Sequence, residues 1–273
     1  MKLGAALQPT NGESLLQLIE KAIELDFDTL QVFLVEKSIM PSVENCFKDG
    51  ERIKHLIEET GLQVYVHAPL MISPVHAEEG KRKVAAYSIS KHMRIAYHLG
   101  FKGVVVHPGS TKGDWKALLN DTLSQVFAKD KYYGEVKLLL ENAAGQGNMI
   151  ASIPNLVDFV RNSEYNISIC IDTAHAWAFG DDVLAEDFGR TLQSIKHIVG
   201  LIHLNNPDTI VQLGSHKDRH RAGFDNGRFT REEFFKLTKV CSEFPCVMEA
   251  FYINEVPIYL ELRNHVAIAT KGE

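Results

Sequence analysis

Residues 136–142 read Val136-Lys137-Leu138-Leu139-Leu140-Glu141-Asn142, an apolar run that stops in a carboxylate and an amide. A run that is apolar at nearly every position suits a strand covered on both faces, as in a parallel sheet flanked by helices. Gly103-Val104-Val105-Val106-His107 has the same character. Working outward from these two, β-rich runs recur at Lys2–Leu7, Thr29–Leu34, Leu62–Ala68, Ile167–Asp172, Gly200–Leu204 and Cys246–Glu249. Between them lie stretches with apolar residues near i, i+3, i+4 and i+7: Glu13–Leu25, Gly50–Glu59, Lys81–Leu99, Trp115–Ala128, Asn155–Arg161, Ala185–Ile198, Arg231–Val240 and Val256–Ala267. Parallel strands need helical crossovers, and regular strand-helix alternation of this kind predicts a closed α/β barrel of the TIM, (β/α)8, type. An open doubly wound sheet usually carries a glycine-rich turn after its first strand, where this chain has Gln8-Pro9-Thr10-Asn11-Gly12.

Length and composition agree. The chain has 273 residues, 45% hydrophobic and 23% charged, the balance of a globular protein rather than a disordered or low-complexity one. No linker or composition shift divides it, so one barrel domain over residues 1–273 is expected. The formal charge of −6 does not announce a nucleic-acid binder, but three divalent cations would cancel it. Cys46, Cys170, Cys241 and Cys246 form no C-x-x-C pair, which suggests a reducing compartment without disulfides. The stretch Met1 to Ser14 lacks the apolar core of a signal peptide, and no run approaches the ~18 residues of a membrane span. A cytoplasmic protein, a monomer without a protein or membrane partner, is the expectation.

Barrel chemistry belongs to the C-terminal strand ends. Here the third strand ends in His67-Ala68-Pro69, the fourth in His107-Pro108-Gly109-Ser110, the fifth in Glu141-Asn142, the sixth in Asp172-Thr173-Ala174-His175, the seventh in His203-Leu204-Asn205 and the eighth in Glu249. Asp218 and His220 sit in the long loop after the seventh. A lone strand-end histidine is most often a hydrogen-bonded core residue. Six consecutive polar ends on one rim are different, because facing carboxylates and imidazoles repel or stay unsatisfied without a cation. Mixed imidazole and carboxylate donors without thiolates suit zinc, with manganese or iron as substitutes.

The ordered set Val66-His67-Ala68-Pro69, Val106-His107-Pro108-Gly109-Ser110, Leu140 to Gly147, Cys170 to Ala176, His203-Leu204-Asn205 and Asp218-Arg219-His220, with Glu249 on the last strand, resembles the endonuclease IV family of apurinic/apyrimidinic endonucleases. The resemblance runs nearly the whole chain. It implies up to three zinc ions: one held by His67, His107 and Glu141, a second by Glu141, Asp172, His203 and Glu249, and a third by His175, Asp218 and His220. It also implies metal-dependent phosphodiester hydrolysis 5′ of an abasic site in duplex DNA, as in base excision repair, with Glu141 bridging metals and orienting the attacking water.

Lys217, Arg219 and Arg221 interleave with Asp218 and His220, so Arg219 and Arg221 are candidate phosphate contacts. Ser110, Asn142 and Gln146, beside the ligands, are candidates for supporting hydrogen bonds or sugar-phosphate contacts. A sugar isomerase or epimerase with one metal on Glu141, Asp172, His203 and Glu249 is the competing enzyme reading, and a non-catalytic DNA-binding barrel is a third. The five further candidate ligands favour the nuclease. Departures from the family fall where substrate would be read: Ala6-Leu7-Gln8-Pro9 in place of a histidine-bearing first turn, Val35 to Met40 in place of a basic second loop, and Leu70 in place of a tyrosine wedge. Reduced discrimination of abasic DNA is therefore expected.

Overall fold

The structure, a computed structural model, describes residues 1–9, 12–35, 40–128, 135–147, 150, 152–221, 227–249 and 261–264, with the Arg221 side chain excluded. Its strands are β1 (Lys2–Leu7), β2 (Thr29–Phe33), β3 (Gln63–His67), β4 (Gly103–Val106), β5 (Lys137–Glu141), β6 (Ile167–Asp172), β7 (Val199–His203), β8 (Asn206–Pro207), β9 (His220–Arg221) and β10 (Pro245–Met248). A closed parallel barrel runs β1-β10-β7-β6-β5-β4-β3-β2, while β8 and β9 form a separate antiparallel pair. Each of the eight expected strands is present, with bounds that differ by at most one residue.

Closure joins the first and last barrel strands. Lys2 to Ala5 of β1 pair with Pro245 to Met248 of β10, and Gly4 to Leu7 pair with Thr29 to Val32 of β2. Gly4 makes this approach possible, since a Cβ there would stand 1.4 Å from the Thr29 carbonyl oxygen.

Outside the barrel run α1 (Leu15–Glu24), α2 (Val43–Phe47), α3 (Gly50–Thr60), α4 (Glu79–Leu99), α5 (Trp115–Phe127), α6 (Ile153–Arg161), α7 (Thr173–Phe179), α8 (Phe188–Ser194) and α9 (Arg231–Cys241). Local sequence starts several of them. Ser14 accepts from the Gln17 N–H while Gln17 reaches back to the Ser14 N–H, and Thr230 and Glu233 repeat this capping box at α9. Two helices have no counterpart among the expected ones. Short α2 lacks the length for a period to show, and α7 buries Thr173, Ala174, His175, Ala176 and Ala178, so it has no polar face to reveal it. The stretch 185–198 is shorter as a helix than its pattern suggests: it opens on turns at Asp182–Ala185 and Ala185–Phe188, and α8 gives way to a 3-10 turn over Lys196–Ile198. Most of the expected helix Val256–Ala267 lies outside the described residues, and residues 261–264 are helical.

The barrel interior is layered. Ala6, Tyr65, Val105, Leu139, Cys170, Leu201 and Val247 form a buried cluster of their own, apart from the larger core between strands and helices. Burying such side chains contributes about 1.5–3 kcal/mol for each of the larger ones. Side chains along a strand share a face every second residue, so the next inward positions after Tyr65, Val105, Leu139, Cys170, Leu201 and Val247 are His67, His107, Glu141, Asp172, His203 and Glu249. A buried, largely apolar floor therefore lies directly beneath the polar rim. The four cysteines are buried and unbridged. Among the described residues no helix is long and apolar enough to cross a membrane.

Candidate metal centre

Glu141 stands at the middle of the rim, 1% exposed. Its Oε2 lies 3.1 Å from His67 Nε2 and 3.3 Å from His107 Nε2. Its Oε1 lies 3.0 Å from His203 Nδ1 and 3.4 Å from His175 Nδ1. One carboxylate thus divides its two oxygens between two sets of imidazoles. His203 Nδ1 is also 3.8 Å from Asp172 Oδ2 and 3.6 Å from Glu249 Oε1. On the far side, His175 Nε2 lies 3.1 Å from Asp218 Oδ1, and His220 Nε2 lies 3.6 Å from Glu249 Oε2.

Among the described residues, donor atoms converge in three groups able to hold a cation: His67, His107 and Glu141; Glu141, Asp172 and His203; and Asp172, His175 and His220. Glu249 stands between the second and third groups, and Asp218 flanks the third through His175. Asp172 stands between two groups: Oδ1 caps α7 by accepting the His175 N–H at 2.7 Å, while Oδ2 lies 3.7 Å from His175 Nδ1 and 3.8 Å from His203 Nδ1.

The electrostatics fit cations at these positions. Burial pushes the Glu141 carboxyl up, yet the imidazoles of His107 and His203, with hydrogen bonds from His175 and His203, hold it well below the usual carboxylate range. Burial pulls His175 down, but Asp172, Asp218 and Glu141 raise it well above an ordinary imidazole. Burial likewise opposes the charge on His203, while the Cys170 thiol, Glu141 and Glu249 raise it well above. Protons on His175 and His203 therefore balance the buried carboxylates, while burial pulls His107 down, and divalent cations can replace those protons between the same atoms. Imidazole and carboxylate donors, with the Cys170 thiol in the layer below them, match zinc, manganese or iron chemistry.

Supporting residues complete the rim. Asn205 Nδ2 donates to Asp172 Oδ2 at 2.7 Å and to Glu249 Oε2 at 3.0 Å, and its Oδ1 accepts the Glu249 N–H at 3.0 Å. Thr173 Oγ1 donates to the Asn205 carbonyl at 2.7 Å. Asn142 is fully buried, with Oδ1 accepting the Asp172 N–H at 2.7 Å and Nδ2 donating to the Asp172 carbonyl at 3.1 Å, so it holds Asp172 rather than facing solvent. Gln146 Nε2 donates to Asp218 Oδ2 at 2.9 Å. Gln31 reaches both His203 and Glu249. Sequence reasoning assigned no role to Gln31 or Asn205. The signals were a lone amide inside the apolar run of β2 and a second polar residue just past His203.

The loop bearing Asp218 and His220 is tied back at several points. Pro207 pairs with His220 and Asn206 with Arg221 in the β8–β9 ladder, which replaces the open loop expected there. His216 donates its backbone N–H to the Ala178 carbonyl at 2.8 Å, and its ring lies edge-on to Phe179 and 3.2 Å from the Ala144 carbonyl. Gly145, at φ +87, leaves room for that ring, since a Cβ there would meet His216 Nδ1 at 2.3 Å. Arg219 and Ser110 are exposed near the rim, the Arg221 side chain lies outside the described residues, and Leu70 and Met71 are 71% and 68% exposed. Of the second loop, Glu36 to Ile39 lie outside the described residues.

Eight parallel strands carrying inward imidazoles and carboxylates at their C-terminal ends define a class, the xylose isomerase-like TIM barrel, and the model of that family matches residues 19–252. Within it, the probable endonuclease 4 of Acholeplasma laidlawii (strain PG-8A) is 30% identical over 265 residues, covering 88% of this chain and 85% of the relative. The chain belongs to the endonuclease IV family. Among solved structures, endonuclease IV from Thermus thermophilus matches with a TM-score of 0.80 at 23% identity, over 96% of this chain and 97% of that one. A D-tagatose 3-epimerase-like protein matches at 0.72 and 21% identity, over 100% and 99%. Those two likenesses concern the fold.

Proposed function

We propose that the protein is a zinc-dependent DNA phosphodiesterase of the endonuclease IV type, which cleaves 5′ of abasic sites in duplex DNA and leaves a 3′-hydroxyl and a 5′ deoxyribose phosphate. The observation that carries this reading is the sharing of Glu141 and Asp172 among three donor groups on one rim. An epimerase working with one metal has no use for three. His67, His107 and Glu141 would hold one ion, Glu141, Asp172, His203 and Glu249 a second, and His175, Asp218 and His220 a third. Bound there, zinc, or manganese or iron in its place, supplies Lewis-acid polarisation of the phosphate and of the attacking water.

The chain's own groups do the rest. Glu141 faces both sides of the rim with separate oxygens, so it can bridge two cations and orient water between them. Arg219 meets backbone phosphate, and Arg221 and Ser110 are further candidates for the sugar-phosphate. The apolar layer beneath the rim keeps the local dielectric low, which strengthens every charge interaction above it. Leu70 and Met71 offer an apolar wedge at the gap left by a missing base. In this reading the chain works as a single-domain monomer.

The test combines elemental analysis with incubation on a defined abasic duplex and identification of both product ends. More than one transition metal per chain and a 3′-hydroxyl product support the proposal. A single metal with epimerisation of a ketose would instead establish the isomerase reading, for which Glu141, Asp172, His203 and Glu249 would suffice.

A further inference from the structure

Gln31 lies within β2, fully buried, and none of its neighbours in the strand is a candidate ligand. Its amide touches two candidate ligands on other strands. Oε1 is 2.8 Å from His203 Nε2, and Nε2 is 3.3 Å from Glu249 Oε1. A carboxylate can only accept, so the NH2 end of the amide must face Glu249. The carbonyl end then faces His203, and since it too can only accept, His203 Nε2 must carry a proton. In the neutral ring this leaves the lone pair on Nδ1. Nδ1 is the nitrogen that lies 3.0 Å from Glu141 Oε1, 3.6 Å from Glu249 Oε1 and 3.8 Å from Asp172 Oδ2.

Glu249 is fixed without help from Gln31. Asn205 donates to its Oε2 and accepts its backbone N–H, each at 3.0 Å. Orientation therefore passes one way, from Asn205 to Glu249, from Glu249 to the amide of Gln31, and from the amide to the imidazole. We infer that Gln31 is a positioning residue that fixes the tautomer of His203, so that Nδ1 rather than Nε2 is offered to the divalent cation bound by Glu141, Asp172 and Glu249. The inference rests on the metal reading proposed above. A second partner that sets the ring tautomer commonly changes metal affinity by about ten- to a hundredfold.

The test is nitrogen NMR of the zinc-loaded full chain labelled in histidine, with His203 assigned by difference, together with zinc affinity from chelator competition. Wild type should show the His203 proton on Nε2. Gln31→Met, close in size but without hydrogen bonds, should lose the second zinc about ten- to a hundredfold more readily while the zinc on His67 and His107 stays. Gln31→Glu still accepts from His203 Nε2 and should keep the tautomer that Gln31→Met loses. A His203 proton on Nδ1 in zinc-loaded wild type overturns the inference, and that spectrum decides even if Gln31→Met does not fold. Unchanged zinc affinity and tautomer in Gln31→Met also overturn it. Wild type that binds no zinc would overturn the metal reading itself, a distinguishable failure.

Discussion

Asp172 and His175 are joined through the backbone and through the side chain: Asp172 Oδ1 accepts the His175 N–H at 2.7 Å, and Asp172 Oδ2 lies 3.7 Å from His175 Nδ1. The residue that ends β6 is therefore also the cap of α7, so a single carboxylate sets the distance between two donors proposed for neighbouring cations. Helix capping and metal holding can be separated by substitution. Asp172→Ser keeps a capping oxygen and loses the other; Asp172→Ala loses both. In metal-free protein, Asp172→Ser should be the more stable by about 1 kcal/mol in denaturant unfolding. Both should bind less zinc than wild type, and equal stability of the two would remove the cap from the account.

Glu141→Gln replaces the carboxylate that serves both sides of the rim with a near-isosteric amide. The fold should persist, shown by an unchanged circular dichroism spectrum. Cleavage of an abasic duplex at saturating zinc should fall by about a hundredfold or more, the scale of loss for a group acting on the reacting phosphate. A rate within about threefold of wild type would place Glu141 outside the chemical step.

Gly145→Ala puts a Cβ into the space of the His216 ring at a backbone angle, φ +87, that L side chains rarely adopt. Such strain costs of order 1–3 kcal/mol unless the loop moves. The loop that moves carries Asp218 and His220, so metal analysis should show loss of one ion of the proposed three with the others retained. Uniform loss of all metal would show that the whole rim, not this loop, depends on the contact.

His92, lowered chiefly by burial and further by the candidate ligand His67, gives another pH dependence. It is fully buried in α4, with Nδ1 donating to the Ser88 carbonyl at 2.8 Å, and burial lowers its pKa to about 4. The unfolded chain, with an ordinary histidine near 6.5, takes up the proton first. Its contribution is therefore intact above about pH 6.5 and is lost as pH falls towards 4, by about 3 kcal/mol at most. Unfolding of chelated protein should show that slope, and His92→Leu should flatten it. An identical slope in the variant would assign the acid sensitivity elsewhere.

The barrel was readable because its strands are covered on both faces and its crossovers are long. Val104 to Val106 and Leu138 to Leu140 leave little but a buried parallel strand, and a capping box at Ser14 marks a helix start. The candidate ligands were equally plain, since a charged group at the end of an apolar run needs a reason. What stayed hidden depends on contacts between distant strands. Gln31 meets His203 and Glu249 only after closure, at separations of 172 and 218 residues, and a lone amide in an apolar run does not say which partners it will meet. Helix α7 was hidden because it is buried nearly all round, and the β8–β9 ladder because two-residue strands carry no period. Asn142 and Gln146 stood out by adjacency, but only the fold reveals that they hold the candidate ligands Asp172 and Asp218 in place.

Leu70 is 71% exposed, so Leu70→Tyr should leave stability within about 0.5 kcal/mol of wild type. An aromatic ring stacks where a leucine cannot, and the variant should cleave abasic over intact duplex with a larger preference than the parent protein. The measurement is competition between the two duplexes of one sequence at fixed salt. A wild-type preference already above about a thousandfold, about 4 kcal/mol, would show that the leucine wedge suffices.

The pairing of β1 with β10 has a consequence for how the centre comes into being. Synthesis proceeds from the N-terminus, and His67, His107 and Glu141 can meet once the first five strands have emerged. Glu249 arrives after β10, when the nascent chain has already presented the other rim donors to its surroundings. Until that strand docks between β1 and β7, the carboxylate that orients Gln31 is absent and the apolar layer lacks Val247. The first proposed donor group can thus assemble early, whereas the second is complete only when β10 docks, which makes barrel closure the step that guards against a half-built centre.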